Sequence, residues 1–389
     1  MIARLVNGLR PSSLTGAEAG PPTPGLNAKG PMVRRRKSAL ASGAVVVGAL
    51  AMATPASINA AEPIQGVAPP AVGCSLPALA TFHLDPRSTT PLISGTINDR
   101  KVQFIAGLSS ETAVFRPAAK TLGVNEYLPR QERNIHRPRW LPQLGDGWVR
   151  DLELDDMPRT VLSRYDVHED FHIWVTDAGS GWASNPSAIL GSQFWTLADD
   201  DFDLGSDSIS LVRPTGCARS DTLPFNAGAY SQTPLLVGVR GVERRVAVRV
   251  DDVPMLAVLD SGTSTSILTA QGAMKLGRGW PLPNAERQGQ LFTGGQGKMS
   301  WAAARFKTFS IGQETIQNPR IVVADIYDLA QRTQAWLKYP VPHPSAPPTP
   351  NVHTPDMILG ADFFRAHHVL ISNSRGMVYF VYNGAPIFQ

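Results

Sequence analysis

The 389-residue chain has little of what several protein classes require, since it contains only two cysteines, 17% charged residues and 7% aromatic residues. Two cysteines exclude a disulfide-rich miniature scaffold and any four-cysteine zinc site. No apolar run reaches the eighteen residues of a candidate membrane-spanning helix. No glycine-rich phosphate loop precedes a helix-like segment, so nucleotide chemistry is not supported.

The formal charge of +4 is unevenly distributed along the chain. Residues 1–61 contain seven Lys or Arg and one acidic residue, so the rest of the chain has a net charge of −2. A nearly neutral body offers no electrostatic surface for nucleic acid, and we expect no nucleic-acid partner. Proline makes up 33 of the 389 residues, which indicates many loops and argues against a helical bundle.

The N-terminus has the features of an export signal. A basic cluster at 34–37 precedes a mostly apolar run at 39–53 and a small-residue exit that ends at Ala61. This order is typical of a secretory signal peptide, and we assign residues 1–61 to it, with translation starting at Met1 or Met32. An uncleaved membrane anchor is the alternative, but fifteen residues are short for a bilayer.

Export places the mature protein in the periplasm or outside the cell, where disulfides form. We therefore predict a disulfide between Cys74 and Cys217, with a pair of buried free thiols as the alternative. Residues 62–90 form the N-terminal segment of the mature chain, or a propeptide.

The body of the chain has an internal repeat. Three segments recur in order, 91–95 with 234–238, 120–123 with 274–277, and 189–191 with 358–360. We predict a first lobe at 91–218, a linker at 219–232 and a second lobe at 233–389. The second lobe is longer, partly because of a loop at 340–355 with seven prolines in sixteen residues.

Both halves have strand-like patterns. Residues 245–250 alternate between polar and apolar side chains, and residues 255–259 form a continuous apolar run, as in a buried central strand. Residues 269–276 fit one short helix. The sequence therefore predicts two all-β lobes.

The apolar run ends in the sequence Asp260-Ser261-Gly262-Thr263. A carboxylate at the end of a core strand, followed by Gly and hydroxyl side chains, suits catalysis, because amides and hydroxyls can hydrogen-bond the carboxylate without neutralising it. A solvated turn of this composition is also common, so the tripeptide alone is weak evidence.

Three segments of the second half together resemble the retropepsin-like (retroviral-type) aspartic peptidases: 256–277, the glycine-rich 292–297, and 358–364. The resemblance implies a retropepsin or pepsin-like acid protease fold, with the first lobe a degenerate copy, and hydrolysis of peptide bonds in a peptide or protein substrate. It makes Asp260 the catalytic aspartate. It makes Ser261, Gly262, Thr263, Leu359 and Gly360 the support of the catalytic loop, and Thr293, Gly294, Gly295, Gln296 and Gly297 the substrate-covering flap. It implies no cofactor and no metal.

The chemistry of that family needs two carboxylates that share a proton. No second Asp-Ser-Gly or Asp-Thr-Gly occurs in the chain, and the repeat places Ala106 opposite Asp260. We consider three solutions: a homodimer through the second lobe that supplies a second Asp260, a silent peptide-binding groove, or another carboxylate such as Asp146. The first is the preferred hypothesis, so we expect an exported aspartic endopeptidase.

A second motif competes with this interpretation. His168, Glu169 and His172 match the His-Glu-x-x-His signature of zinc metallopeptidases, which binds zinc only on a helix. The following residues are strand-like, and four residues of a strand span about 13 Å, too far for one ion. We therefore interpret the match as chance.

Overall fold

Strands dominate the fold, as the sequence patterns predict. The computed structural model describes residues 73–127, 144–158, 171–176, 186–218, 222–225, 230–237, 243–283, 285–292, 298–326 and 355–388. The predicted signal peptide lies outside these ranges.

The first half contains eleven of the described strands and two short helices. They are β1 (Ala78–His83), β2 (Leu92–Ile97), β3 (Arg100–Ala106), β4 (Ala113–Phe115), α1 (Arg116–Ala119), β5 (Asn125–Tyr127), β6 (Leu144–Val149), β7 (Leu152–Leu154), β8 (Phe171–Thr176), β9 (Ala188–Leu190), α2 (Ser192–Trp195), β10 (Asp199–Asp203) and β11 (Ser208–Val212).

The second half contains the remaining described elements. They are β12 (Ser231–Pro234), β13 (Leu236–Val237), β14 (Arg244–Val250), β15 (Val253–Leu259), β16 (Ile267–Thr269), α3 (Ala270–Lys275), β17 (Arg287–Phe292), β18 (Lys298–Arg305), β19 (Thr308–Ile311), β20 (Glu314–Gln317), β21 (Arg320–Ala324), β22 (Met357–Leu359), α4 (Ala361–Ala366), β23 (His367–Ser372) and β24 (Met377–Tyr382).

Each half builds one sheet, and the two sheets share a topology. The first-lobe sheet has the order β5-β6-β8-β4-β9-β3-β2-β7, and the second-lobe sheet has the order β17-β18-β21-β16-β22-β15-β14-β19-β20, with β13 also paired to β14. In the first lobe β3–β9 and β4–β8 are parallel and β4–β9 is antiparallel. In the second lobe β15–β22 and β16–β21 are parallel and β16–β22 is antiparallel. This agreement confirms the predicted fold of two β lobes related by duplication.

A third sheet joins the halves. Its order is β1-β11-β10-β23-β24-β12, so it takes strands from both halves, and the β10–β23 pair lies at the junction. Phe202 on β10 packs on Phe364 of α4, with ring centroids 5.1 Å apart. Both side chains are fully buried, and one hydrophobic core runs through both lobes and this sheet.

The local sequence explains the elements that carry the site. Strand β15 has sheet neighbours on both sides, β14 and β22, which accounts for its continuous apolar run. Helix α3 begins after Thr269, whose hydroxyl oxygen accepts a hydrogen bond from the Gly272 backbone N–H at 3.0 Å.

The structure joins Cys74 and Cys217 in a disulfide, the pairing that the sequence predicts. The bridge closes a segment with a sequence separation of 143 residues that contains the whole first-lobe sheet. Beside it, Ser75 and Thr215 exchange two backbone hydrogen bonds at 3.0 and 2.9 Å. Within the described ranges, no helix has the length and apolarity needed to span a bilayer.

Candidate active site

Asp260 lies at the point where the central strand of the second lobe ends. Its backbone N–H donates to the Leu359 carbonyl at 2.9 Å, which continues the parallel pairing of β15 with β22 by one residue. The chain then turns, and the Thr263 N–H donates to the Asp260 carbonyl at 3.1 Å. The buried strand therefore delivers the carboxyl to a tight loop, as predicted.

Short contacts within the loop hold the Asp260 carboxyl. The Thr263 hydroxyl donates to Oδ2 at 2.6 Å, and the Gly262 N–H donates to Oδ1 at 3.3 Å. Burial among protein atoms is the main influence on this group and raises the pKa of Asp260, while these two donors and the backbone amide of Ser109 lower it in part. The carboxyl is thus protonated more readily than an exposed aspartate.

The predicted support segment contacts the loop directly. A Cβ at Gly360 would lie 2.6 Å from the Thr263 carbonyl oxygen, so the close approach requires glycine. The Gly360 N–H donates to the Ser266 hydroxyl at 2.9 Å, and that hydroxyl donates to Asp362 Oδ1 at 2.6 Å. Burial raises the pKa of Asp362, and its hydrogen bonds from Ser266 lower it in part.

The first lobe repeats this arrangement with different side chains. The Gly107 N–H donates to the Leu190 carbonyl at 3.0 Å, as Asp260 does to Leu359. Ser192 donates to the Ser110 carbonyl at 2.8 Å, as Ala361 does to Thr263 at 2.7 Å. Gly107 therefore stands opposite Asp260, and the predicted alignment of Ala106 with Asp260 was wrong by one residue.

Two hydrogen bonds, which we call the grip, join the two loops across the lobes. The Ser261 hydroxyl donates to the Ala106 carbonyl at 2.5 Å, and the Ser109 hydroxyl donates to the Leu259 carbonyl at 2.6 Å. Each acceptor belongs to the residue just before the loop position that Gly107 or Asp260 fills. The first lobe of the same chain thus covers the side of the Asp260 loop where a partner loop would have to dock.

No carboxyl faces Asp260 from the first-lobe position, because that position is Gly107. A Cβ added to Gly262 would lie 3.2 Å from the Gly107 Cα, so the two loops meet closely. Glu111, further along the first-lobe loop, is engaged by the Gln193 side-chain amide. Asp146 lies on β6, four strand spacings from β3, or about 19 Å along the sheet. Its Oδ1 is 2.9 Å from His172 Nε2 on the neighbouring strand β8.

The predicted flap connects two paired strands in the sequence. Strands β17 and β18 form its stem and pair up to Phe292 and Lys298. The flap residues themselves, 293–297, lie outside the described residues.

Of the competing zinc motif, the structure describes His172 alone, which lies on a strand. His172 lies on β8, its Nε2 is 2.9 Å from Asp146 Oδ1, and its ring lies between Trp148 and Trp174 with centroid separations of 5.3 and 5.1 Å. His168 and Glu169 lie outside the described residues. In the part of the chain that the structure describes, no group of three or more His, Cys, Asp or Glu could hold a metal ion.

Sequence reasoning missed the part that Ser109 plays in this site. The signal was present, since Gly107-Leu108-Ser109-Ser110 follows an apolar strand just as Asp260-Ser261-Gly262-Thr263 does. Because the first-lobe loop has no carboxylate at the position of Asp260, its sequence does not identify it as the counterpart of the Asp260 loop. The backbone hydrogen bonds establish that correspondence.

The family comparison matches residues 246–363 to the model described as aspartyl protease. This range contains Asp260, its loop and the Leu359-Gly360 support. The match confirms the resemblance of the second lobe to the retropepsin-like aspartic peptidases.

Two solved structures are similar to the chain at low identity. One is a retropepsin-like aspartic protease from Rickettsia conorii, with 17% identity, a TM-score of 0.26, and coverage of 38% of this chain and 97% of that chain. The other is Basic 7S globulin from soybean, with 12% identity, a TM-score of 0.34, and coverage of 79% and 94%. The comparison with curated proteins found no match.

Proposed function

We propose that this aspartyl-protease-like protein binds extended polypeptide at the Asp260 loop between its two lobes, and that it does so without hydrolysing it through a symmetric dyad. The observation that carries the proposal is Gly107 at the position opposite Asp260. The dyad mechanism needs one carboxylate to activate water and a second acid to donate a proton to the substrate carbonyl. A glycine can do neither.

Two features of the second lobe support polypeptide binding. Strands β17 and β18 are paired up to the residues that flank the predicted flap, and the Asp260 carboxyl is held by hydrogen bonds from Thr263 and Gly262. A carboxyl with a raised pKa can donate a hydrogen bond to a peptide carbonyl when protonated and accept one from a peptide N–H when ionised.

Hydrolysis of peptide bonds is a second candidate, favoured by the family match over residues 246–363. It would need a second carboxylate from a partner chain, as in the homodimer through the second lobe. Against this homodimer stands the grip of Ser109 and Ser261, because the first lobe would have to move away before a second Asp260 loop could dock.

The test is a mixed peptide library presented to the mature chain, from about residue 62, over the acidic range in which carboxyl groups titrate. Retained peptides and cleavage products are both identified by mass spectrometry, and the mass of the protein is measured by light scattering. Asp260→Asn is compared with Asp146→Asn, which removes a carboxylate on β6 of the first lobe.

We expect wild type and both variants to retain peptides and leave them intact, with the chain monomeric. Failure of the wild type to retain any peptide would refute the binding proposal. Cleavage by a wild-type dimer that is abolished by Asp260→Asn alone would establish the second candidate instead.

We further propose that the protein is exported. The basic cluster at 34–37 followed by an apolar run supports this location, as does the Cys74–Cys217 disulfide, because disulfides persist in oxidising compartments. Cell fractionation tests the proposal, and recovery of the full-length chain, with its thiols reduced, from the cytoplasm would contradict it.

A further inference from the structure

Arg244 is a buried arginine at the place where the two lobes and the shared sheet meet. It is 2% exposed at the start of β14. Its Nη2 lies 3.3 Å from Oδ2 of Asp200, on β10 of the shared sheet, and its Nε donates to the Asn373 side-chain oxygen at 3.4 Å. Asn373 in turn donates to the same oxygen of Asp200 at 3.3 Å. An arginine buried this deeply and fixed at two points has one defined orientation.

The third guanidinium nitrogen of Arg244, Nη1, contacts the first-lobe loop. Arg244 Nη1 donates to the Leu108 carbonyl oxygen at 3.2 Å. That carbonyl belongs to the same peptide unit as the backbone N–H of Ser109. Because a trans peptide is planar, its C=O and N–H point in opposite directions, so holding the oxygen fixes where the N–H points.

The other side of this peptide unit faces the candidate active site. The Ser109 hydroxyl donates to the carbonyl of Leu259, the residue before Asp260, at 2.6 Å. The backbone amide of Ser109 is among the groups that lower the pKa of Asp260 in part. The Leu108–Ser109 segment is therefore held by Arg244 at one point and contacts the Asp260 loop at another.

We propose that Arg244 is a positioning residue for Asp260, which holds the Leu108–Ser109 peptide unit against the Asp260 loop through the Leu108 carbonyl. In the absence of an aspartate at position 107, the first lobe contributes an oriented peptide N–H to the site, and Arg244 sets its orientation. The inference deepens the proposed function, and it rests on Asp260 being the functional group of the site.

The titration of the Asp260 carboxyl can report on this arrangement because of the groups that surround it. Burial, the Thr263 hydroxyl and the amides of Gly262 and Ser109 are the influences on its pKa, and no charged group is among them. The charged groups lie around Arg244 instead: burial raises the pKa of Asp200, the Arg244 charge lowers it, and Asp199 raises it further. Because Arg244→Lys keeps the positive charge, a change in the titration of Asp260 in that variant reports on the peptide unit and not on the loss of a charge.

The experiment follows the carboxyl carbon of Asp260 by NMR as a function of pH, with the signal assigned by its loss in Asp260→Asn. Arg244→Lys keeps the charge but cannot fork to both Asp200 and Leu108. The double variant Arg244→Met with Asp200→Asn removes both buried charges together and avoids leaving one unpaired. Arg278→Met is the matched control, since Arg278 packs over Phe306 and pairs with Asp251 in the second lobe.

We expect the titration of Asp260 to move to higher pH in both Arg244 variants, because the loosened peptide unit no longer favours the carboxylate. It should stay unchanged in Arg278→Met, with near-UV circular dichroism of all three variants matching the wild type. An unchanged titration in folded Arg244 variants would overturn the proposal. Failure of both Arg244 variants to fold would also overturn it, by assigning Arg244 to the scaffold alone.

The titration experiment can succeed or fail independently of the peptide-binding experiment that tests the proposed function. Wild-type chain that binds no peptide, together with a shifted Asp260 titration in the Arg244 variants, would refute peptide binding and leave the role of Arg244 intact.

Discussion

The two lobes share a topology and a scheme of loop support, but they differ at two positions where chemistry would occur. The second lobe has Asp260 in its loop and Asp362 beneath it, whereas the first has Gly107 and Gln193 in the same places. Gln193 Oε1 accepts from the Thr112 N–H at 3.0 Å, just as Asp362 Oδ1 accepts from the Ser266 N–H at 2.8 Å. Backbone-directed hydrogen bonds can therefore preserve the frame of an acid-protease centre in a lobe that has no acid at either of these two positions.

Placing an aspartate at position 107, opposite Asp260, should have the largest effect, because it removes the main chemical difference between the two loops. With Gly107→Asp, we expect peptide hydrolysis at acidic pH, because general acid–base catalysis by a positioned group contributes about 10²–10⁴-fold. A Cβ at Gly107 would lie 2.7 Å from the Ile189 Cγ2, so Ile189→Ala is combined with it to make room. Hydrolysis is measured with the peptide library.

Gly107→Asn, combined with the same Ile189→Ala, is the matched control, since it adds the same bulk without an acid. Equal activity of the Asp and Asn variants would show that position 107 does not face the reacting site.

Removal of the disulfide should have the next largest effect, and it distinguishes the lobes because the bridge closes the first. Replacing Cys74 and Cys217 with Ser together should lower the free energy of unfolding by about 5 kcal/mol in the chain-entropy model. Urea unfolding of the mature chain measures this difference. A loss below about 1 kcal/mol would mean that the packing of the first lobe already restricts its unfolded state.

Breaking the grip should have a smaller and symmetric effect. Ser261→Ala and Ser109→Ala each leave a carbonyl without its partner, which costs about 1–3 kcal/mol for a buried group. Urea unfolding should give similar losses for the two variants, since the bonds are reciprocal. Ser206→Ala, in an exposed turn, is the control and should stay within about 0.5 kcal/mol of the wild type. Strongly unequal losses would contradict the pairing of the two loops.

The smallest expected difference between the lobes is in the pH dependence of the free energy of unfolding. Burial raises the pKa values of Asp260 and Asp362 above the ordinary 3.8, so the folded state binds protons that the unfolded state releases. Their contribution to stability is present below that value and is lost as pH rises through the folded pKa values. The double variant Asp260→Asn with Asp362→Gln, which removes both acids and copies Gln193 of the first lobe, should flatten this decline.

Asp85→Asn is the control for the pH experiment, because Arg87 lowers the pKa of this exposed aspartate and its effect has the opposite sign. Chemical unfolding at a series of pH values measures all three proteins. An unchanged slope in the double variant would place the pH dependence elsewhere in the molecule.

Much of this site could be predicted because its residues form patterns that can be recognised in the sequence. Asp260 ends an apolar run, Leu359-Gly360 follows an apolar segment, and the two cysteines have no other partners in the chain. Strand β14 was predicted from its alternation, and α3 from the short segment that follows Thr269.

The rest could not be predicted, for identifiable reasons. The two loops run in register from Gly107 to Ser110, but the second lobe has one extra residue before Ser266, the counterpart of Thr112, so a single offset misplaced Ala106. Arg244 is charged and lies next to Arg245 at the start of an alternating strand, a pattern that normally indicates exposure. Only the partners that reach it from other elements, Asp200, Asn373 and Leu108, reveal why it is buried.

The central claim is that, among the residues that the structure describes, Asp260 is the only carboxyl at the junction of the two loops. Carboxyl NMR of the mature wild-type chain across the acidic range tests it most directly, with Asp260→Asn to assign the signal. We predict that Asp260 titrates in a single step displaced to higher pH, from a monomer, because no second carboxyl shares its proton. Two coupled steps that both vanish in Asp260→Asn would reveal a second carboxyl at the site, and Asp260 would then not act alone.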